Sequence, residues 1–114
     1  MQVNNYHFGH IDIEGHSYDA DVIIFPDHVQ ERWRRREGHR LGQEDLTTVL
    51  AKKPQMLVIG TGYDGRMQVP AETLGSLRAV WVDVRIAKTG KVVNEFHQLQ
   101  KACASIVAAL HLTC

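Results

Sequence analysis

The pattern of apolar and polar positions changes near residue 54. Before it, short apolar stretches are separated by turn residues; after it, uniformly apolar runs alternate with segments of helical spacing. In the first half, Phe8-Gly9-His10-Ile11-Asp12-Ile13 and His16 to Phe25 flank Glu14-Gly15. An acidic-glycine pair between two strand-like runs predicts a two-residue hairpin turn with positive φ. Val22-Ile23-Ile24-Phe25 is continuously apolar and β-branched, as in a strand covered on both faces, and Pro26 ends it because proline cannot donate to a ladder. Val29 to Arg36 fits two periods. Val29 and Trp33 are spaced for a helix face, but Glu31 shares a strand face with both, and the preceding hairpin with Gly38 beyond favours a β-meander.

Leu41 to Leu46 opens a helix: Glu44 and Asp45 suit the helix dipole, and Leu41 can staple onto Leu46 across a Gly42 cap. Lys52-Lys53-Pro54 closes it. Met56-Leu57-Val58-Ile59, followed by a glycine-rich turn, predicts a buried parallel strand. Pro70 suits the first position of a helix through Leu74 and Leu77, and Val80 to Ile86 predicts the next strand. Val92, Val93, Phe96 and Leu99 recur at helical spacing after Thr89, and Ser105 to Leu112 predicts a closing central strand. The sum is an α/β fold of three layers: a mixed sheet, an added N-terminal β layer, and a βαβαβ C-terminal half.

Length and composition narrow the class. One domain, residues 1–114, is expected, and roughly 65% of the unfolded surface should be buried without a metal or disulfide staple. Thirteen basic and thirteen acidic residues cancel, which removes a global attraction to nucleic acid or anionic lipid. Two cysteines point to a reducing compartment, and no apolar run approaches the roughly 18 residues of a membrane span. A cytoplasmic protein without a resident cofactor is expected.

The ordered landmarks Asp21-Val22-Ile23-Ile24, Trp33-Arg34, Leu57-Val58-Ile59-Gly60-Thr61-Gly62, Asn94 and Ala108-Ala109-Leu110-His111-Leu112-Thr113-Cys114 resemble the Mth938-like (DUF498) domain family over nearly the whole chain. The resemblance implies a small α/β domain with a mixed sheet and an extra β layer. It also implies kinship with a mitochondrial assembly factor for respiratory complex I and an adipogenesis-associated cytoplasmic protein. The family supplies no established catalytic residues. Gly90-Lys91 stands after Thr89 where the family pattern would have an acidic residue and alanine, so no role carries over to the start of the last helix.

Several constellations invite chemistry. Gly60-Thr61-Gly62-Tyr63-Asp64-Gly65 spells the dinucleotide glycine pattern after a predicted strand. The pyrophosphate cradle needs a helix to begin inside the motif, and here Arg66-Met67-Gln68-Val69 intervene before Pro70. A weaker form survives: ligands gather beyond the carboxyl ends of parallel strands, where Gly60, Thr61, Gly62, Tyr63, Asp64, Arg66, Lys88 and Thr89 could hold a small anion. A solvated loop with an Asp64 to Arg66 contact is the bland counterpart. His111 in the final strand could act as a general base or sit satisfied in the core. No metal site is expected, because His7 with His10, and His111 with Cys114, are three apart and would point to opposite strand faces. Cys103 and Cys114, separated by an extended strand, should be free thiols. Ser17, Ser76 and Ser105 lack a nucleophile elbow.

Arg32, Arg34, Arg35, Arg36 and Arg40, with His28 and His39 nearby, form the largest charge asymmetry. Only Trp33 interleaves as an aromatic, which disfavours nucleic acid. The favoured reading is a non-catalytic protein-binding or assembly module. Its interface would be Trp33, Arg34, Arg35 and Arg36, with Trp33 as anchor if exposed, and its partner a protein, including a second copy of the chain. The alternative is a small-anion-binding domain or enzyme using the Gly60 to Arg66 loop with His111.

Overall fold

The computed structural model describes residues 1–80 and 83–114, so Trp81 and Val82, expected in a strand, lie outside the described residues. Among the described residues eight strands form two sheets. β1 (Val3–His7), β2 (His10–Ile13) and β3 (His16–Tyr18) make an antiparallel meander. Its second turn has the expected conformation, with Glu14 at φ 50° and Gly15 at φ 78°. Neither the first turn, at Phe8-Gly9, nor β1 itself follows from the sequence pattern. Only Val3 of β1 is buried, and the pairing with β2 shifts between Val3 and Asn5, which blurs the alternation a strand normally shows.

The second sheet runs in the order β5-β4-β8-β6-β7, from β4 (Val22–Ile24), β5 (Val29–Gln30), β6 (Met56–Gly60), β7 (Asp83–Ala87) and β8 (Ile106–Leu110). β8 is parallel to β6 and antiparallel to β4, so the sheet is mixed. β4, β6 and β8 are buried along their whole lengths, which is why their sequences are continuously apolar rather than alternating.

The strand expected over Val29 to Arg36 stops after Gln30. Arg32 at φ 54° turns the chain out of the sheet. Trp33 then enters the core at 4% exposure, with its Nε1 donating to Asp45 O at 2.8 Å, while Arg32, Arg34 and Arg36 stay in water. Burial of one indole outweighs whatever ladder bonds a longer edge strand would have made.

A 3₁₀ turn (Gln43–Leu46) leads into α1 (Thr47–Lys52). Asp45 Oδ2 accepts from Gly42 N at 2.8 Å, and Leu41 and Leu46 are both fully buried in one cluster, as the staple requires. Lys53, left-handed at φ 47°, ends the helix before Pro54. α2 (Ala71–Val80) follows Pro70, whose carbonyl accepts from Leu74 N. Val80 therefore closes the helix rather than opening a strand, and β7 begins at Asp83. α3 (Thr89–Ala102) buries Val92 and Phe96 at the expected spacing.

Among the described residues two apolar clusters separate the layers. Ile23, Leu57, Ile59, Val84, Val107 and Ala109 face one side of the five-stranded sheet, under Trp33, Leu41, Leu46, Val49 and Leu77. Val22, Ile24, Val58, Ala108 and Leu110 face the other, under Val92 and Phe96 of α3 and Ile11 and Ile13 of the meander. The layers are thus α1 and α2, the mixed sheet, and α3 with the N-terminal sheet.

Gly75 lies within α2 with nothing within 4 Å of where a Cβ would stand. Gly75→Ala is expected to stabilise the domain by about 0.5–1 kcal/mol, read as a higher urea midpoint with unchanged slope. A lower midpoint would contradict the open helix surface.

Candidate functional site

The chain runs β6, α2, β7, α3, β8, with β7 and β8 on opposite sides of β6. This reversal makes the carboxyl ends of β6 and β8 the switch point at which open α/β sheets receive ligands. Here the crevice is stitched closed. Thr89 Oγ1 donates to His111 O at 2.6 Å and accepts from Gly62 N at 2.9 Å, bridging the two strand ends with a fully buried hydroxyl. His111 N donates to Gly60 O, Tyr63 N to Thr113 O, and Arg66 N to Cys114 O. Thr61 N, Gly65 N and Met67 N bond to Ala87 O, Gly62 O and Thr61 O.

The amides of Thr61, Gly62, Tyr63, Gly65, Arg66 and Met67 are therefore spent on the protein's own carbonyls and on the Thr89 hydroxyl rather than on an anion. A Cβ at Gly60 would lie 2.6 Å from Thr89 Oγ1, so that glycine serves close packing rather than a ligand. Thr61 is buried, whereas Asp64 and Arg66 are exposed and not ion-paired to each other. The structure does bring Gly60, Gly62, Thr89 and His111 together, but as backbone packing.

The His111 side chain belongs to a different cluster, at the mouths of β4 and β8. The register Val22↔Leu110, continued by one residue, sets Asp21 opposite His111. Asp21 Oδ2 accepts from His111 Nδ1 and from Arg35 Nη2, each at 2.7 Å, and Oδ1 accepts from Leu112 N at 2.7 Å. Because Oδ2 can only accept, the ring carries its proton on Nδ1. The 3.0 Å approach of Arg35 Nη2 to Nδ1 is then two donors converging on one oxygen.

Burial pushes the Asp21 carboxyl up, but hydrogen bonds from His111, the Leu112 amide and Arg35 outweigh it and hold the group below its ordinary value of 3.8. Arg35 Nε donates to Gly38 O, and its guanidinium lies 4.8 Å over the Trp33 ring. The side chains of Arg35 and His111 are 4% and 5% exposed, and neither Arg35 Nη1 nor His111 Nε2 has a hydrogen-bond partner among the described residues.

A general base must reach its substrate. His111 is buried, with the His39 ring packed edge-on at 5.6 Å, so this geometry suits a structural histidine. Of the four expected interface residues, Trp33 is core and Arg35 is the buried half of an ion pair. Trp33 therefore cannot anchor a partner, and only Arg34 and Arg36 remain at the surface with Arg32. Above the ion pair lies an open depression of about 430 Å³, lined by Asp21, Arg32, Trp33, Arg34, Arg35 and Leu112 among others.

Arg40 pairs with Glu72 at 3.2 Å, but among the described residues Arg32, Arg34 and Arg36 make no ion pair. His7 and His10 are cross-strand partners with stacked rings, not residues of one strand. His10 is held between Asp12 at 2.8 Å and Asp19 at 2.6 Å, which raises its pKa through those two bonds, Asp19 first. Cys103 and Cys114 are unbridged. Among the described residues no helix is long and apolar enough to cross a membrane.

The layers, the mixed sheet and the added meander define an α/β domain of the Mth938-like class. A family model described as "Protein of unknown function (DUF498/DUF598)" matches residues 3–111, and the chain belongs to that family. Its fold is shared by the conserved hypothetical protein PH1505 of Pyrococcus horikoshii, at 24% identity and TM-score 0.84 over the full length of both chains. A protein of Bartonella henselae described as an outer membrane protein matches at 22% and 0.80, covering 98% of this chain and 94% of its own. A Bordetella pertussis protein described as a Mth938-like domain matches at 17% and 0.74, covering 97% of this chain and 85% of its own. At these identities the likeness extends to the fold alone.

Proposed function

We propose that this chain is a non-catalytic binding module that receives an acidic segment of a protein partner on the Arg32, Arg34 and Arg36 surface. The observation that carries the reading is three exposed arginines, Arg32, Arg34 and Arg36, without ion-pair partners among the described residues, on a segment pinned from beneath by the buried Arg35–Asp21 pair. The pinning matters because a rigid platform loses less entropy on binding than a mobile arginine loop. Two acids line the depression: the charge of Asp21 is matched by Arg35, and that of exposed Asp19 is bonded to His10, so the arginine rim keeps most of its field. Glu31 and Glu37 interrupt the basic run and limit it to a local patch.

Nucleic acid is the poorer fit. With Trp33 in the core, no aromatic face in this segment is available to stack a base. The small-anion alternative finds little support in the Gly60 to Arg66 loop, where the amides of Thr61, Gly62, Tyr63, Gly65 and Arg66 are engaged.

Arg34→Glu with Arg36→Glu is expected to weaken binding of a poly-glutamate peptide by about tenfold or more, with the wild-type affinity falling as salt rises. Fluorescence anisotropy reads the affinity and circular dichroism confirms the fold. The same substitutions should abolish co-purification of the native partner. Retained affinity and retained co-purification in the folded variant would sink this reading.

A further inference from the structure

The basic surface leaves one long feature of the sheet unexplained. β7 is the terminal strand of the five, and among the described residues no other strand pairs with its outer side. Its pairing with β6 is in register across all five residues, from Met56↔Asp83 to Gly60↔Ala87, without a bulge or a proline to blunt the edge. Ile86, on this strand, is 37% exposed.

The peptide groups on the open side can be identified. Thr61 N donates to Ala87 O, so Ala87, and by alternation Arg85 and Asp83, direct their amides and carbonyls toward β6. Those of Val84 and Ile86 therefore point outward. In an antiparallel pair, residues with outward peptide groups must sit opposite one another. A two-fold axis between two copies of β7 that overlaps at least three residues of each strand then passes through Val84, Arg85 or Ile86.

Charge chooses among the three. An axis through Arg85 sets two guanidinium groups directly opposite at a close, non-hydrogen-bonded position. An axis through Ile86 sets Arg85 opposite Ala87 and leaves Asp83 outside the overlap, so neither charge meets its opposite, whereas an axis through Val84 leaves Ile86 and Ala87 outside it instead. An axis through Val84 sets each Arg85 opposite Asp83 of the second copy, twice over. Asp83 and Arg85 already contact each other within the strand at 3.2 Å on one face, so this register closes a ring of four alternating charges.

We infer that β7 is a homodimerisation edge, pairing antiparallel with β7 of a second copy about an axis at Val84 and joining two five-stranded sheets into one. The surface is separate from the arginine rim, so this assembly does not depend on the acidic-partner reading.

Light scattering on size-exclusion peaks tests it. The wild-type chain should approach twice 12.9 kDa as concentration rises to about 100 µM. Arg85→Asp, which places like charges opposite at both positions, should raise the dimer dissociation constant about tenfold or more. The swap Asp83→Arg with Arg85→Asp rebuilds the alternating ring and should restore the dimer, which also excludes misfolding as the cause of the single variant's loss. A wild-type chain that stays monomeric, a dimer indifferent to Arg85→Asp, or a swap that fails to rescue it would each overturn the inference.

Discussion

Asp21→Asn is expected to destabilise the domain by about 3 kcal/mol at neutral pH, the low end of what removing one partner from a buried ion pair costs, since Asp21 keeps some contact with solvent. The amide preserves the shape of the carboxylate but not its charge. Arg35, with its side chain 4% exposed, would be left as an uncompensated cation in the interior. The amide nitrogen would also face one of three donors: His111 Nδ1, Arg35 Nη2 or Leu112 N. Against a typical total of about 5–15 kcal/mol this is a large fraction, and urea unfolding should show it as a reduced midpoint.

Two controls make the cause specific. If the stranded charge is responsible, adding Arg35→Met should recover part of the loss, because an apolar side chain in place of an unpaired cation removes the penalty. The pH dependence supplies the second. The Asp21 carboxyl titrates below its ordinary value in the folded state, so its contribution is fully present above the unfolded value and is lost as pH falls through the depressed folded one. The gap between wild type and Asp21→Asn should hold from neutral pH down to about pH 4 and close only in stronger acid. Equal midpoints at pH 7 would show that the pair contributes nothing.

The same cluster shows where the chemistry of this chain was readable and where it was not. β6 and β8 were legible because Met56 to Ile59 and Ile106 to Leu110 are short runs, apolar without interruption and bounded by turn residues, as in a strand covered on both faces. The Glu14-Gly15 turn and the face of α3 were legible from local backbone preference and from period. Asp21, Arg35 and His111 were not, since their meeting depends on β4 lying antiparallel to β8 in one register, a long-range fact with no local signature. A trace of it exists: polar Asp21 and His111 each stand directly beside a continuously apolar strand, the position of a side chain at a sheet mouth.

Trp33 misled for the opposite reason. Its neighbours are arginines, which place the segment at the surface, but the turn at Arg32 lets the indole alone point inward. The glycine pattern at Gly60 to Gly65 is a true conformational signal, with Gly62 and Gly65 both at positive φ, attached to the wrong chemistry. The turn exists to receive Thr113 and Cys114.

Gly62→Ala should therefore be among the most damaging single-methyl additions in the chain, costing about 3–5 kcal/mol. The residue sits at φ 113°, outside the region ordinary L residues visit, and a Cβ there would lie 2.5 Å from the Cys114 carbonyl carbon and 2.6 Å from Thr113 O. Strain of this kind costs about 1–3 kcal/mol by itself. The neighbouring atoms are backbone, so relief requires the segment to move away, breaking Tyr63 N to Thr113 O at 2.7 Å and Arg66 N to Cys114 O at 2.8 Å, at about 1 kcal/mol for each bond lost. Gly38→Ala is the matched control: nothing lies within 4 Å of its Cβ position, and the change should stay within about 0.5 kcal/mol. If the two alanine variants unfold at the same urea concentration, the closed crevice between β6 and β8 is not a structural constraint, and the loop amides regain their candidacy as a ligand cradle.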